Sequence, residues 1–232
     1  MERSNQHLVI QRPAHPAQLI LLFHGVGSNA ASMATLGQAY AQAFPQAMVV
    51  AVQSPQASEI MPGGWQWFSV QGVTEDNRIE RVAAALPGFE ACVREWQAES
   101  GVDAQGTALV GFSQGGIMAL AASARPEPVA TRFTALGSRY PALPVQPLHG
   151  NTTVHLLHGK ADPVMPYSHT IHAAMRLKEL GCDFTAEVLP FVGHELPPEM
   201  VSLAVEKLQN HIPSRLWLKP EDADATTGKD PV

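Results

Sequence analysis

The sequence predicts an α/β fold, a mainly parallel central sheet with helices on both faces. Three observations carry that prediction. Short, continuously apolar runs at residues 18–23 and 47–52 read as strands buried on both faces. Helical patterns fall between such runs, so strands and helices alternate over most of the chain. At residues 107–120 an apolar run turns through Gly111-Phe112-Ser113-Gln114-Gly115-Gly116 into a small-residue helix.

Taken in order, residues 7–11 are partly alternating and predict an edge strand, and residues 18–23 the first buried strand. The glycine-rich turn His24-Gly25-Val26-Gly27-Ser28-Asn29 follows. Ser28 or Asn29 is placed to cap a helix in which Met33, Leu36, Tyr40 and Phe44 recur until Pro45. Residues 47–52 form a second buried strand. Residues 53–77 are irregular and carry Trp65, Trp67 and Phe68 among prolines and glycines. A loop of that length, rich in aromatic residues, inside a compact domain is usually functional or an excursion over a pocket. A helix is predicted over 78–99, with Ile79, Val82, Leu86, Phe89, Val93 and Trp96 on one stripe and a kink or break at Pro87-Gly88.

Beyond the turn at Ser113, residues 132–136 predict a strand and 137–150 a proline-rich loop. Residues 153–157 predict a stronger strand, followed by His158-Gly159-Lys160-Ala161-Asp162-Pro163-Val164. Ser168 is placed to cap a helix with Ile171, Met175, Leu177 and Leu180 inward, closed by Gly181. Residues 184–189 predict a strand that ends in Pro190-Phe191-Val192-Gly193-His194. A last helix over 198–210 turns Met200, Leu203, Ala204 and Leu208 inward until Pro213. No repeat or second domain interrupts residues 1–213. The polar tail at 214–232 predicts disorder.

Composition narrows the function classes. The 232 residues are 45% hydrophobic and 16% charged, an ordinary globular balance. A net charge of −6 without a basic cluster argues against nucleic acid, and no apolar run is long enough for stable membrane insertion. The polar N-terminus carries no signal-peptide pattern. The two cysteines, Cys92 and Cys182, lack metal-ligand spacing, so a cytoplasmic setting is expected, with no metal. A homodimer is compatible with these features.

The chemistry gathers around Ser113. In a Gly-x-Ser-x-Gly elbow the serine sits at the apex of a strained strand-to-helix turn, and the flanking glycines avoid clashes with neighbouring backbone. The alternative is an ordinary turn with Ser113 as a helix N-cap. A serine hydroxyl needs a base, and the base needs an acid to hold its tautomer. In the α/β-hydrolase fold these follow in the order serine, acid, histidine, each after a strand. Asp162 and His194 meet both conditions.

Of the ten histidines, His155 and His158 read as structural, and His169, His172 and His211 as helix positions facing solvent. Asp103 precedes Ser113, and Asp183 falls at the wrong end of its strand. Acyl transfer also needs two amide donors for the oxyanion, and Gln114 and Val26 are the candidates. His24 then reads as a structural hydrogen-bonding residue. Met61, Trp65, Trp67, Phe68, Met165 and Leu196 are candidate walls of an acyl or alcohol pocket. For Trp67 and Phe68 the competing reading is a core anchor for their loop.

His24-Gly25-Val26-Gly27, Gly111-Phe112-Ser113-Gln114-Gly115-Gly116, the His158–Val164 motif and Gly193-His194-Glu195, in this order, resemble the phospholipase/carboxylesterase family of α/β-hydrolases. That family includes bacterial carboxylesterases and acyl-protein thioesterases. The segment from Trp67 to Arg78 is most similar to one bacterial esterase branch. The resemblance covers about residues 7 to 213. It implies a triad of Ser113, Asp162 and His194, hydrolysis of esters or thioesters, and no cofactor. The acyl-protein thioesterases typically carry an aspartate after the Trp-Phe pair, where this chain has Ser69.

The expected activity is hydrolysis of small-molecule carboxylic esters of short or medium acyl chains through an acyl-enzyme. The alternatives are an acyl-thioesterase and a catalytically silent hydrolase fold that binds a ligand. All three triad members being present weighs against the last.

Overall fold

A computed structural model describes residues 7–213, so the tail expected to be disordered lies outside the described residues. Seven strands form one sheet in the order β1-β3-β2-β6-β7-β8-β9. These are β1 (Leu8–Gln11), β2 (Gln18–Phe23), β3 (Ala47–Val52), β6 (Thr107–Phe112), β7 (Arg132–Leu136), β8 (Thr153–Gly159) and β9 (Asp183–Leu189). Within this sheet the β1–β3 pair is antiparallel and the remaining pairings are parallel. The edge strand expected at residues 7–11 is β1.

The pleat divides the apolar runs between two cores. In β2, Leu19, Leu21 and Phe23 face one side, while Ile20 and Leu22 face the other. On the first side the sheet meets α2 (Glu75–Ser100), α3 (Gln114–Ser123) and α4 (Ser168–Glu179) through Val82, Phe89, Val93, Met118 and Leu177. On the second it meets α1 (Ala34–Ala43) and α5 (Pro198–Asn210) through Leu36, Tyr40, Met200 and Ala204. Burial on both faces explains why these strands lack an alternating pattern. Among the described residues no helix is long and apolar enough to cross a membrane.

Several local expectations are corrected. The helix expected over 78–99 starts at Glu75, where Thr74 and Asn77 form a capping box, and runs unbroken through Pro87 to Ser100. Pro87 and Gly88 are exposed, so water can solvate the carbonyl that loses its partner, while buried Leu86 and Phe89 hold both sides of the interruption. Packing outweighs the proline penalty of about 3 kcal/mol. Ile79, expected on the buried stripe, is exposed.

In α4 the inward face is Thr170, Ala173 and Leu177. Ile171 and Met175 are exposed, because the row that meets the sheet runs at i, i+3 and i+7 through positions 170, 173 and 177. Tyr167, not Ser168, is the N-cap of α4. Asn29 caps a short 3-10 turn (Ala30–Met33) ahead of α1. The long loop is less irregular than its composition suggests, since β4 (Gln56–Ala57) pairs with β5 (Trp65–Gln66).

One buried histidine links the fold to pH. His155 in β8 is 1% exposed, and desolvation, reinforced by nearby His211, Arg132 and Lys207 against the opposing Asp183, pushes its pKa down to about 3. The unfolded chain protonates the same ring at about pH 6.5. Its contribution is therefore fully present above that pH and declines as pH falls toward 3. The decline is about 1.4 kcal/mol per pH unit while only the unfolded chain takes the proton. His24 and His158, also lowered chiefly by burial, act in the same direction. Thermal unfolding between pH 7 and pH 4 should show the loss, and His155→Leu should flatten part of it. An unchanged slope in that variant would reject His155 as a source.

Candidate active site

The sheet register brings the predicted site residues to one edge. Phe23 of β2 stands beside Gly111 of β6, Phe112 beside Leu136 of β7, and Gly159 of β8 beside Leu189 of β9. Val26, Ser113, Asp162 and His194 each follow one of these strand ends within a few residues. Parallel strands place all such loops at their carboxyl ends, where α/β proteins bind ligands.

Ser113 has φ 51° and ψ −117°, a conformation side chains seldom adopt. A Cβ at Gly111 would overlap the backbone of Gly115 and Gly116, and one at Gly115 would overlap the Phe23 carbonyl. The turn is thus tight enough to exclude any side chain at either flank. Its apex is held by the Ser113 amide donating to the Leu136 carbonyl (3.0 Å) and by Ser138 Oγ donating to the Ser113 carbonyl (2.7 Å). Strain of this kind persists only where surrounding bonds over-determine it. Ser113 does stand at the N-cap position of α3, but its side chain makes no capping bond, so the hydroxyl is not used to close the helix end.

Ser113 Oγ lies 2.9 Å from His194 Nε2, and His194 Nδ1 lies 2.7 Å from Asp162 Oδ2. A carboxylate only accepts, so Nδ1 carries the proton and Nε2 is left to accept from the serine hydroxyl. The Asp162 side chain is fully buried. Burial alone would raise its pKa. The amides of Met165 and Val164, each 2.8 Å from Oδ1, and His194 outweigh that effect and hold the carboxyl below its ordinary value. Phe112 packs against the His194 ring with centroids 4.8 Å apart.

His158 stands behind this line. Its Nε2 donates to the Met165 carbonyl at 2.7 Å, so Nδ1 accepts from Thr170 Oγ1 at 2.9 Å, and the Nε2 edge is 3.4 Å from Asp162 Oδ2. His24 is likewise structural. Its Nδ1 donates to the Gly25 carbonyl (2.7 Å), and Nε2 accepts from the Ser54 amide (3.2 Å). His169 accepts from Arg139, and His211 is no solvent-facing residue, because Asp183 takes its Nε2 at 3.2 Å.

A cavity of about 380 Å³ opens beside Ser113 and His194. Its apolar wall is Val26, Met33, Phe112, Val164 and Leu196, with Ser28 and Ser32 supplying hydroxyls. Of the six residues expected in the pocket, Leu196 alone lines this cavity. Trp67 and Phe68 are buried in the core, anchoring the loop as the competing reading had it. Met165 packs on that core and turns its backbone to His158 and Asp162. Trp65 pairs with Ser28, and Met61 is 53% exposed beside Gly27.

Sequence reasoning missed Met33, Phe112 and Val164. Met33 belonged to a helical stripe that also read as core, and Val164 follows the acidic residue too closely to show periodicity. The signal for Phe112 was its place beside Ser113. Among the described residues no group of three His, Cys, Asp or Glu side chains is arranged to hold a metal ion.

The phospholipase/carboxylesterase family model matches residues 5–212. Esterase YpfH of Escherichia coli is 44% identical over 215 residues, covering 92% of this chain and 91% of that protein. Acyl-protein thioesterase 1 of Neurospora crassa is 26% identical over 163 residues, 66% of each chain. The crystal structure of esterase PE8 superposes with a TM-score of 0.77 at 27% identity, covering 89% of this chain and 97% of that one. A hydrolase sheet whose loops carry the expected motifs and a match along nearly the whole described length lead to one assignment: the chain belongs to the phospholipase/carboxylesterase family and is an enzyme of the α/β-hydrolase fold.

Proposed function

We propose that this chain is a serine esterase acting on small-molecule carboxylic esters of short or medium acyl chains, with Ser113 as nucleophile, His194 as base and Asp162 as its orienting acid. The hydrogen-bonded line from Ser113 Oγ through His194 to Asp162, open to the cavity at its serine end, is the observation that carries this reading. Ser113 Oγ bonds to the carbonyl carbon while its proton passes to His194 Nε2, and the oxyanion is received by the amides of Val26 and Gln114. Collapse expels the alcohol, which takes that proton. Water then attacks the acyl-enzyme with His194 again as base, releasing the acid and restoring the serine. The mechanism calls for no cofactor, and the cytoplasm is the setting assigned to it.

A cavity of about 380 Å³ with an apolar wall suits a modest acyl or alcohol group. The same groups would cleave a thioester, the reaction named for the more distant Neurospora crassa relative. Matched oxygen esters and thioesters of one acyl chain should favour the oxygen ester; a reversed preference would move the assignment to thioesterase. The first test is a fluorophosphonate probe with mass-spectrometric mapping. Stoichiometric labelling at Ser113, absent in His194→Ala, is expected. A folded protein that resists labelling would favour a silent, ligand-binding fold.

A further inference from the structure

The two amides assigned to the oxyanion stand on different loops, Val26 after β2 and Gln114 after β6. They act together only if their spacing is held to a fraction of an ångström. A single segment, residues 65–68, is bonded to both loops. The Gly27 amide donates to the Trp65 carbonyl and the Trp65 amide to the Ser28 carbonyl, each at 2.8 Å, one and two residues beyond Val26. The Trp67 indole Nε1 donates to the His24 carbonyl at 2.8 Å, two residues before it. On the other side, the Gln114 side chain pairs with the same segment at two points. Its Oε1 accepts from the Trp67 amide at 2.8 Å, and its Nε2 donates to the Phe68 carbonyl at 2.7 Å.

The segment is itself pinned from behind. Arg81 of α2 donates to the carbonyls of Ser69 (2.9 Å) and Gln71 (2.8 Å), and Ser69 Oγ donates to Glu59 at 2.6 Å.

From this arrangement we infer that residues 65–68 form a brace that sets the distance between the two oxyanion donors, with the Trp67 indole and the Gln114 side chain as its positioning groups. The aromatic pair near the site then serves alignment of the reacting charge, not contact with the substrate. Trp67 and Phe68 are 3% and 4% exposed, so a bound ester would not reach them without displacing core packing. The inference rests on the esterase reading, because it takes Val26 and Gln114 as the donors.

Trp67→Phe removes the indole donor and keeps a ring in the core. Gln114→Met keeps the length of the side chain and removes both polar contacts. Each is expected to lower kcat about ten- to a hundredfold with KM nearly unchanged, somewhat less than the loss of a whole oxyanion donor. A trifluoromethyl ketone adds Ser113 Oγ to its carbonyl carbon, the serine proton passing to His194, and leaves an oxyanion between the two amides. Its affinity is expected to fall by the same factor as kcat, a correspondence that loss of core packing would not produce.

Unchanged kcat in either folded variant would overturn the brace, as would a fall in kcat without the matching loss of inhibitor affinity. Fluorophosphonate labelling of the unaltered protein keeps the two readings apart. Ser113 labelled while both variants retain full kcat rejects the brace alone, whereas an unlabelled Ser113 rejects the esterase reading beneath it.

Discussion

Ser113→Ala is expected to lower kcat by about a millionfold while leaving the fold in place. The hydroxyl lies 2.9 Å from His194 Nε2, so its loss removes both the nucleophile and the proton the base would take. What remains is the modest acceleration from binding and from the oxyanion amides acting on water. Alanine keeps the Cβ, so the strain at φ 51° stays and stability should change by less than about 1 kcal/mol. Ser113→Gly relieves that strain and should be equally inactive but about 1 kcal/mol more stable. Ester hydrolysis and urea unfolding on the three proteins separate the effects. Hydrolysis retained in Ser113→Ala within tenfold of the parent would end the proposed mechanism.

Asp162→Asn should lower kcat by about ten-thousandfold, for a reason written into the loop around it. The amides of Val164 and Met165 both point at Oδ1, so an asparagine must place its carbonyl oxygen there. The NH₂ group is then forced to the Oδ2 position, facing His194 Nδ1 and the Nε2 edge of His158. His194 can meet a donor at Nδ1 only by moving its proton to Nε2, the tautomer that cannot accept from Ser113. His158 adds to the penalty, since its Nε2 already carries a proton for the Met165 carbonyl. The fold and the cavity should persist, so KM should hold while kcat and the rate of fluorophosphonate labelling fall together. A loss of less than tenfold in a folded Asp162→Asn would show that the histidine keeps its tautomer without the carboxylate.

Ser113, Asp162 and His194 are visible in the sequence, because the chemistry and the turns that serve it are local. Gly111 and Gly115 mark a turn that no side chain can flank, and the strand-to-helix context around Ser113 lies within a dozen residues. Asp162 and His194 follow apolar runs whose ends the parallel register then aligns. The distances between them are not local. They depend on β6, β7, β8 and β9 being neighbours in that order, which the chain alone suggests only through the resemblance.

Where the reading went astray, competing local forces were settled by packing from elsewhere. Pro87 marks a break in any isolated helix, yet Leu86 and Phe89 on either side sit in the core and the helix runs through. Ile171 and Met175 have the hydrophobicity of inward residues, but the sheet beneath α4 accepts Ala173 and Leu177.

The sequence by itself determined the α/β architecture, the positions of the seven strands of the main sheet and the three residues of the proposed triad. Each of these rests on periodicity, on steric limits at glycine, or on the order of motifs along the chain. The tertiary structure alone decided which residues wall the cavity and what the aromatic loop does. Tryptophan and phenylalanine near a site satisfy a pocket and a core equally well by composition. The choice fell to the His24 carbonyl and the Gln114 side chain, hydrogen-bonding partners more than forty residues away in sequence, which draw Trp67 and its neighbours inward and leave the cavity to Val26, Met33, Phe112, Val164 and Leu196.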